Sequence, residues 1–256
     1  MGQDLAAVLP LGDNQYDCGG LSAYLGAYDP TWGRVKAVSH PVPGNHEYKT
    51  PAQAPAGTDC DPSGQAAGYF SYFGAAAGQP GKGYYSFDVG GWHLIALNSN
   101  CAQAGGCEAG SAQEQWLRAD LAAHPAECTL AYWHHPRFSS GATHGSQAFM
   151  APIWQALYEG GADVVLSGHE HNYERFAPQT ASGELDTARG LREFVVGTGG
   201  KSHNYPFQAT PIANSEIRND STFGVLELTL HDRSYDWKFV PEAGHTFTDA
   251  GSAACH

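Results

Sequence analysis

The stretch DVVLSGHEHNYER, residues 163–175, contains the pattern that decides the fold of this chain. Its first five residues, 163–167, form a short apolar run that is typical of a buried parallel strand. The run stops at Gly168 and leads to His169 and His171, whose spacing places two side chains on one side of an extended segment. A strand that ends in two imidazoles predicts an open α/β sheet with a ligand site beyond its carboxyl end.

Three other extended runs also lead into side chains that can bind metals. In open α/β sheets, ligands lie just beyond the carboxyl ends of the strands. We therefore expect the residues that follow these runs to share one crevice with His169 and His171. The runs and the residues that follow them are 7–11 with Asp13, 35–42 with Asn45 and His46, and 128–133 with His134.

The remaining pattern predicts a single domain over residues 1–256, with no domain boundary. A hairpin is expected around Gly90 and Gly91, and a capping box at Ser111 predicts a helix to about Ala123. Residues 50–68 are rich in Pro, Ala and Gly and are expected to form a surface excursion. The other predicted elements are helices at 21–27 and 149–158 and strands at 193–197, 223–230 and 235–240.

The charge balance argues against nucleic acid as a partner. The formal net charge is −13, and the 13 lysines and arginines are scattered rather than clustered. A phosphate backbone needs a basic groove, so a small phosphate ester attracted by a bound metal is the more reasonable anionic ligand. No stretch approaches the ~18 apolar residues of a membrane span, and no signal peptide is recognised.

Six cysteines are present and none are spaced as C-x-x-C, which favours disulfides in an extracellular or periplasmic compartment. Several pairings remain open, and Cys101 with Cys107 is the easiest to close. The oligomeric state is left undetermined.

The candidate residues suit a site that holds two cations. Two metals can share a nucleophile and neutralise the charge on phosphate oxygens, which requires a bridging carboxylate and neutral ligands around it. Asp13 suits the bridge, Asn45 offers an amide oxygen, and the histidines suit the terminal positions. Tyr16, three residues after Asp13, is close enough to bind the same metal, and phenolate favours a ferric ion.

In this order, GDNQY (12–16), GNHE (44–47), AYWHHPRF (131–138) and GHEHNYER (168–175) resemble the motifs of the calcineurin-like metallophosphoesterases, specifically the purple acid phosphatase branch. The resemblance covers about two-thirds of the chain. It implies a layered α/β/β/α sandwich of two mixed sheets with flanking helices. It also implies an enzyme that hydrolyses phosphate esters, by preference monoesters, with a metal-bound hydroxide.

The resemblance further implies a role for each matching residue. Asp13 bridges the two metals, and Tyr16 and His171 hold the first, ferric metal. Asn45, His134 and His169 hold the second metal, which is Zn, Mn or Fe. His46 hydrogen-bonds the phosphoryl group, and His144, ten residues after His134, is the candidate general acid.

One family feature is missing, namely an Asp-x-Gly motif at the end of an earlier strand. Asp4 cannot replace it, because eight residues before Asp13 are too few for a crossover between parallel strands. The chain is therefore expected to be a shortened member that lacks the first strand. Its second site would keep all four ligands, whereas its first would be depleted and weak or empty.

Several alternatives remain. The chain could be a catalytically impaired metal- or phosphate-binding member, a phosphodiesterase, or a secreted structural domain held by disulfides. His93 is expected to be a buried core histidine rather than a ligand, and His135 to point away from His134. Glu174 and Arg175 are expected to pair with each other.

Overall fold

The computed structural model describes residues 5–203 and 205–256, so Asp4 lies outside the described residues. The strands there are β1 Tyr85–Val89, β2 Trp92–Ala96, β3 Cys128–Tyr132, β4 Val164–Ser167, β5 Tyr173–Phe176, β6 Arg192–Val196, β7 Ser215–Asn219, β8 Gly224–His231, β9 Ser234–Pro241 and β10 Ala250–Ala254. The α-helices are α1 Leu21–Ala23, α2 Ala67–Phe73, α3 Cys101–Ala104, α4 Ala112–Ala123 and α5 Ala151–Glu159. The predicted α/β class is confirmed.

Seven strands form a mixed sheet in the order β1-β2-β3-β4-β6-β5-β7. Strands β2, β3, β4 and β6 are parallel, and the other three join by antiparallel pairings. Because β3 and β4 are parallel neighbours, their carboxyl ends lie side by side. His134 and His169, each two residues beyond its strand, are thereby brought to the same edge of the sheet.

A smaller antiparallel sheet, β10-β9-β8, covers one face of the large sheet. Trp92 of β2 belongs to the core with Trp237 of β9, whereas Ile95 faces the opposite way and belongs to the core with Trp154 of α5. Burying such a side chain contributes about 2 kcal/mol. The described layers are therefore helices, the seven-stranded sheet and the three-stranded sheet, and outward residues of β9 such as Asp236 are exposed.

The predicted hairpin and the predicted capped helix are both present. Strands β1 and β2 pair from Tyr85 opposite Ala96 to Val89 opposite Trp92. Helix α4 follows Ser111, whose side chain accepts a hydrogen bond from the backbone N–H of Glu114. These elements formed as expected because their signals are local.

The N-terminal runs differ from the prediction. A 3₁₀-helix covers Trp32–Val38, where an extended run was expected. Its backbone groups are satisfied locally by i→i+3 bonds such as that from Ser39 N to Lys36 O, so no ladder forms there. The runs expected at 7–11 and 35–42 are joined instead by isolated parallel bridges between Val8 and Ser39 and between Leu11 and Val42.

Three disulfides close the structure, and the described residues contain no free cysteine. The predicted Cys101–Cys107 pair is present, together with Cys18–Cys60 and Cys128–Cys255. The Cys18–Cys60 bond ties the 50–68 segment to the loop that follows Asp13. Within the described residues, no helix is long and apolar enough to cross a lipid bilayer.

Candidate metal centre

The four residues predicted to hold the second metal converge on one point. The Nε2 atom of His134 lies 3.1 Å from Asn45 Oδ1, 3.1 Å from His169 Nδ1 and 3.3 Å from Asp13 Oδ2. These residues come from four separate parts of the chain. Asp13 and His134 are also almost completely buried, so their mutual orientation is fixed by packing.

The tautomer of His134 makes this arrangement favourable for a cation. Nδ1 lies 2.8 Å from the carbonyl oxygen of Leu11, which can only accept, so Nδ1 carries the hydrogen. Nε2 thus directs its lone pair at two oxygen acceptors. Burial lowers the pKa of His134, but the Asp13 carboxylate, the hydrogen bond to Leu11 and the charge of Glu47 together outweigh burial, so the pKa of His134 is raised. The place between these atoms therefore favours positive charge, as a proton or a metal ion.

The chemistry of this donor set fits a divalent transition metal. Two imidazoles, a carboxylate and an amide oxygen are ligands that zinc, iron and manganese accept. The hydrogen bond from His134 to a backbone carbonyl is also the contact that usually orients a metal-binding histidine.

A second group of donors shares Asp13 with the first. The Tyr16 hydroxyl donates to Asp13 Oδ2 at 3.0 Å and lies 3.3 Å from His171 Nε2. The other ring nitrogen of His171 is held 3.0 Å from Ser202 Oγ. Burial and the charge of Asp13 raise the pKa of Tyr16 well above its usual value, so the phenol ionises only when a cation is close.

The backbone is strained at two of the predicted metal ligands, one in the loop after Leu11 and one in the loop after β4. Asp13 has φ 50° and His169 has φ 66°, in the left-handed region that residues other than glycine seldom adopt. Such residues cost about 1–3 kcal/mol and concentrate at functional sites. Two motif glycines allow the close packing around them. A Cβ at Gly12 would lie 2.6 Å from His134 Nδ1, and one at Gly44 would lie 2.3 Å from Asp13 N.

Glu47 holds the two N-terminal loops together, a role that the sequence did not reveal. Its carboxylate is fully buried, and the Tyr24 hydroxyl donates to it at 2.9 Å. Burial, followed by the charge of Asp13, raises the pKa of Glu47 to about 7. The same carboxylate accepts hydrogen bonds from the backbone N–H groups of Asp13, Asn14, Gln15 and Gly44.

His46 lies beside the shared carboxylate, where the sequence placed it. Its Nδ1 donates to the carbonyl of Asp17 at 2.7 Å, and its Nε2 is 3.9 Å from Asp13 Oδ2. The Lys49 ammonium lies 2.9 Å from the same Nε2. Lys49 was not singled out in the sequence, although it brings a positive charge to the edge of the crevice.

His144 lies on another loop, beside His169 of the group around His134. Its ring centroid lies 4.1 Å from that of His169, and its backbone N–H donates to the buried carboxylate of Glu170. Tyr205, which the sequence did not indicate, packs at 4.3 Å against the ring of His171 and at 4.9 Å against that of His144.

His135 does not point away from the site as expected. Its ring centroid lies 4.4 Å from that of His169, and Nδ1 is 2.8 Å from Ser99 Oγ. Together with His134 and His169 it forms a group that could hold a metal ion. Alternation of side chains applies only inside a strand, and β3 already ends at Tyr132.

Glu174 and Arg175 do not pair with each other either, because neighbours in strand β5 point to opposite faces. Glu174 accepts from the Ser140 N–H and the Ser215 hydroxyl, whereas Arg175 binds Asp249.

Residues 3–173 match the family model described as calcineurin-like phosphoesterase. The chain belongs to this family. Purple acid phosphatase 15 of Arabidopsis thaliana is 32% identical over 183 residues, which are 66% of this chain and 32% of the relative. The family member described here is thus similar to the purple acid phosphatase branch, as the sequence motifs predicted.

Two further relatives extend the comparison. The probable inactive purple acid phosphatase 24 of Arabidopsis thaliana is 28% identical over 261 residues, covering 91% of this chain and 40% of the relative. A purple acid phosphatase from yellow lupin seeds (Lupinus luteus) has the same fold, with a TM-score of 0.75, 19% identity and coverage of 98% of this chain and 47% of that one. The chain spans about a third of the length of the first curated relatives it matches.

Proposed function

We propose that this chain hydrolyses phosphate esters, with monoesters preferred, in the crevice that contains Asp13. The observation that carries this proposal is the set of acceptor atoms around His134 Nε2, which suits a bound cation. Family membership of residues 3–173 supports the same reaction class.

Each predicted residue has a role in this proposal. A bound cation would lower the pKa of water and neutralise charge on the phosphoryl oxygens. Asp13, Asn45, His134 and His169 would hold the second metal, while Tyr16 and His171 would hold the first together with Asp13. His46, with Lys49 beside it, would bind a phosphoryl oxygen, and His144 would protonate the departing alkoxide.

We infer unequal affinity at the two sites. Among the described residues, four predicted donors surround the second site and three surround the first. A zinc, manganese or iron ion at the second site would accordingly be held firmly, and a ferric ion at the first only weakly. Metal analysis after dialysis should show that Asp13→Ala, which removes the carboxylate shared by both sites, loses one tightly bound metal per chain, and a loss of two would refute the inference.

A second candidate is a metal-binding member that does not turn over. The smaller donor set at the first site supports it, as does the 28% identity with a relative named probable inactive. Metal uptake without phosphate release would favour this candidate.

The deciding assay compares p-nitrophenyl phosphate with bis-p-nitrophenyl phosphate. Protein stripped by a chelator should be inactive and should regain activity with iron, zinc or manganese. Activity that survives complete metal removal would exclude the proposed reaction, and faster turnover of the diester would assign a phosphodiesterase instead.

The three disulfides support an extracellular or periplasmic location, and the net charge of −13 supports a small-molecule substrate rather than nucleic acid. Fractionation of cells that produce the protein tests the location.

A further inference from the structure

A second cluster of side chains that can bind metals lies at the amino ends of the parallel strands of the large sheet, away from the candidate metal centre at their carboxyl ends. His93 is near the amino end of β2, opposite Thr129 near the amino end of the parallel strand β3. The candidate metal centre lies beyond the carboxyl ends of β3 and β4. Asp120 and His124, at the end of α4, complete this second cluster.

The three side chains are close enough to share one ion. His93 Nε2 lies 2.9 Å from Asp120 Oδ2. His124 Nδ1 lies 3.3 Å from Asp120 Oδ1 and 3.0 Å from the backbone carbonyl oxygen of Asp120, so a metal ion at Nδ1 requires the tautomer of His124 that carries its hydrogen on Nε2. The two imidazole rings are stacked, with centroids 5.0 Å apart and planes inclined by 16°. One ligand atom from each of the three residues lies within 4.8 Å of the others.

Their orientation is fixed in the way that metal ligands are usually fixed. His93 Nδ1 lies 2.8 Å from Asp88 Oδ1, so Nδ1–H can donate a hydrogen bond to that carboxylate and leave the Nε2 lone pair directed at the cluster. A carboxylate behind the imidazole is a common outer contact in zinc sites. The Ser86 hydroxyl similarly donates to Asp120 at 2.8 Å.

Burial and charge also suit a divalent ion. The side chains of His93 and Asp120 are 2% and 7% exposed, whereas His124 is 51% exposed, so the cluster has a buried base and one open side. Two carboxylates and two neutral imidazoles give a charge of −2 that one divalent ion neutralises. A proton on His93 is the competing occupant, since the hydrogen bond to Asp120 raises the pKa of His93 although burial opposes it.

We propose that His93, Asp120 and His124 form a divalent transition-metal site, with Asp88 as the orienting carboxylate and water completing the coordination. Imidazole and carboxylate are ligand types that Zn²⁺ accepts, so zinc is the ion used in the test. The site does not depend on the proposed phosphatase reaction, because none of its residues lies in the crevice.

The test is zinc binding by the full chain, measured by equilibrium dialysis and elemental analysis after chelator treatment. His124→Ala should lose one zinc per chain, in both the unaltered protein and a His134→Ala background. Hydrolysis of p-nitrophenyl phosphate should be unchanged by His124→Ala alone. His231→Ala is the matched control, since His231 is also an exposed histidine hydrogen-bonded to an aspartate.

Asp120→Ala should lose the same zinc while circular dichroism confirms that it folds. Equal zinc content in the unaltered protein and in His124→Ala, at every zinc concentration, would overturn the proposal. So would an equal loss in the His231→Ala control.

Discussion

Nε2 of His134 lies 3.1 Å from Oδ1 of Asn45, although both atoms are acceptors when His134 is neutral and its Nδ1 donates to Leu11. Two acceptors this close need positive charge between them. The packing that holds His134 against Leu11 therefore builds a cation site before any metal binds. This makes His134 the residue whose loss is most informative.

His134→Ala should remove the metal from the second site and lower kcat/KM by about 100-fold or more, because loss of a ligand exceeds the 10–100-fold typical for outer contacts. Metal content and hydrolysis of p-nitrophenyl phosphate measure the two effects. His245→Ala, at an exposed histidine paired with Glu242, is the control and should change neither. Unaltered metal content in His134→Ala would show that the assignment is wrong.

Glu47→Ala should weaken metal binding without removing a ligand. The substitution leaves four buried or half-buried N–H groups without their acceptor, at a cost of roughly 3 kcal/mol or more in the free energy of unfolding. Metal affinity should fall by about 10–100-fold. Urea unfolding and zinc titration test this. Glu47→Gln keeps one acceptor oxygen, so its stability and its metal affinity should lie between those of Glu47→Ala and those of the unaltered protein. If the metal affinity of Glu47→Ala were unchanged, Glu47 would contribute to the stability of the fold but not to metal binding.

The disulfides should contribute unequally to stability. Cys128–Cys255 closes a separation of 127 residues and Cys101–Cys107 one of 6. In the chain-entropy account these loops give about 5 and about 2 kcal/mol. Thermal unfolding of the two double Cys→Ser variants compares them, and equal losses would point to native-state contacts rather than loop closure.

The metal-free protein should lose stability as pH rises from about 4.5 to about 8. Burial raises the pKa of Glu193 to about 8, and it raises that of Glu47 to about 7. The native state therefore binds more protons than the unfolded chain, whose carboxyls titrate near ~4.3, and the unfolding free energy falls across this window. Urea unfolding at several pH values should show a flatter dependence in Glu193→Gln, and an unchanged slope would contradict the assignment.

Much of the candidate site could be predicted from the sequence. Asp13, His134 and His169 each follow a short apolar run, and the carboxyl ends of parallel strands meet at one edge whatever the details of packing. The sequence also singled out His169 and His171, but the expected extended segment is a bend with φ 66° at His169, so the spacing of two residues does not explain their placement. The hairpin at Gly90 and the cap at Ser111 were equally local.

The tertiary structure alone decided the contacts between distant segments. Glu47 stands in a quoted motif, but its partners at residues 13–15 become neighbours only when two loops fold together. His135 turns toward His169 because the chain bends after β3. Likewise, the sequence indicated only a buried core histidine at His93, and it is the packing of α4 that places Asp120 and His124 beside it.

Which metal-binding side chains follow the apolar runs, and what chemistry they offer, could thus be inferred from the sequence, because hydrophobic periodicity and ligand type are local properties. Only the tertiary structure decided where each lone pair points and which carboxylate supports it. Those depend on hydrogen bonds between residues far apart in sequence, such as the 123 residues that separate His134 from Leu11 and the 155 that separate Tyr16 from His171, and no local pattern records them.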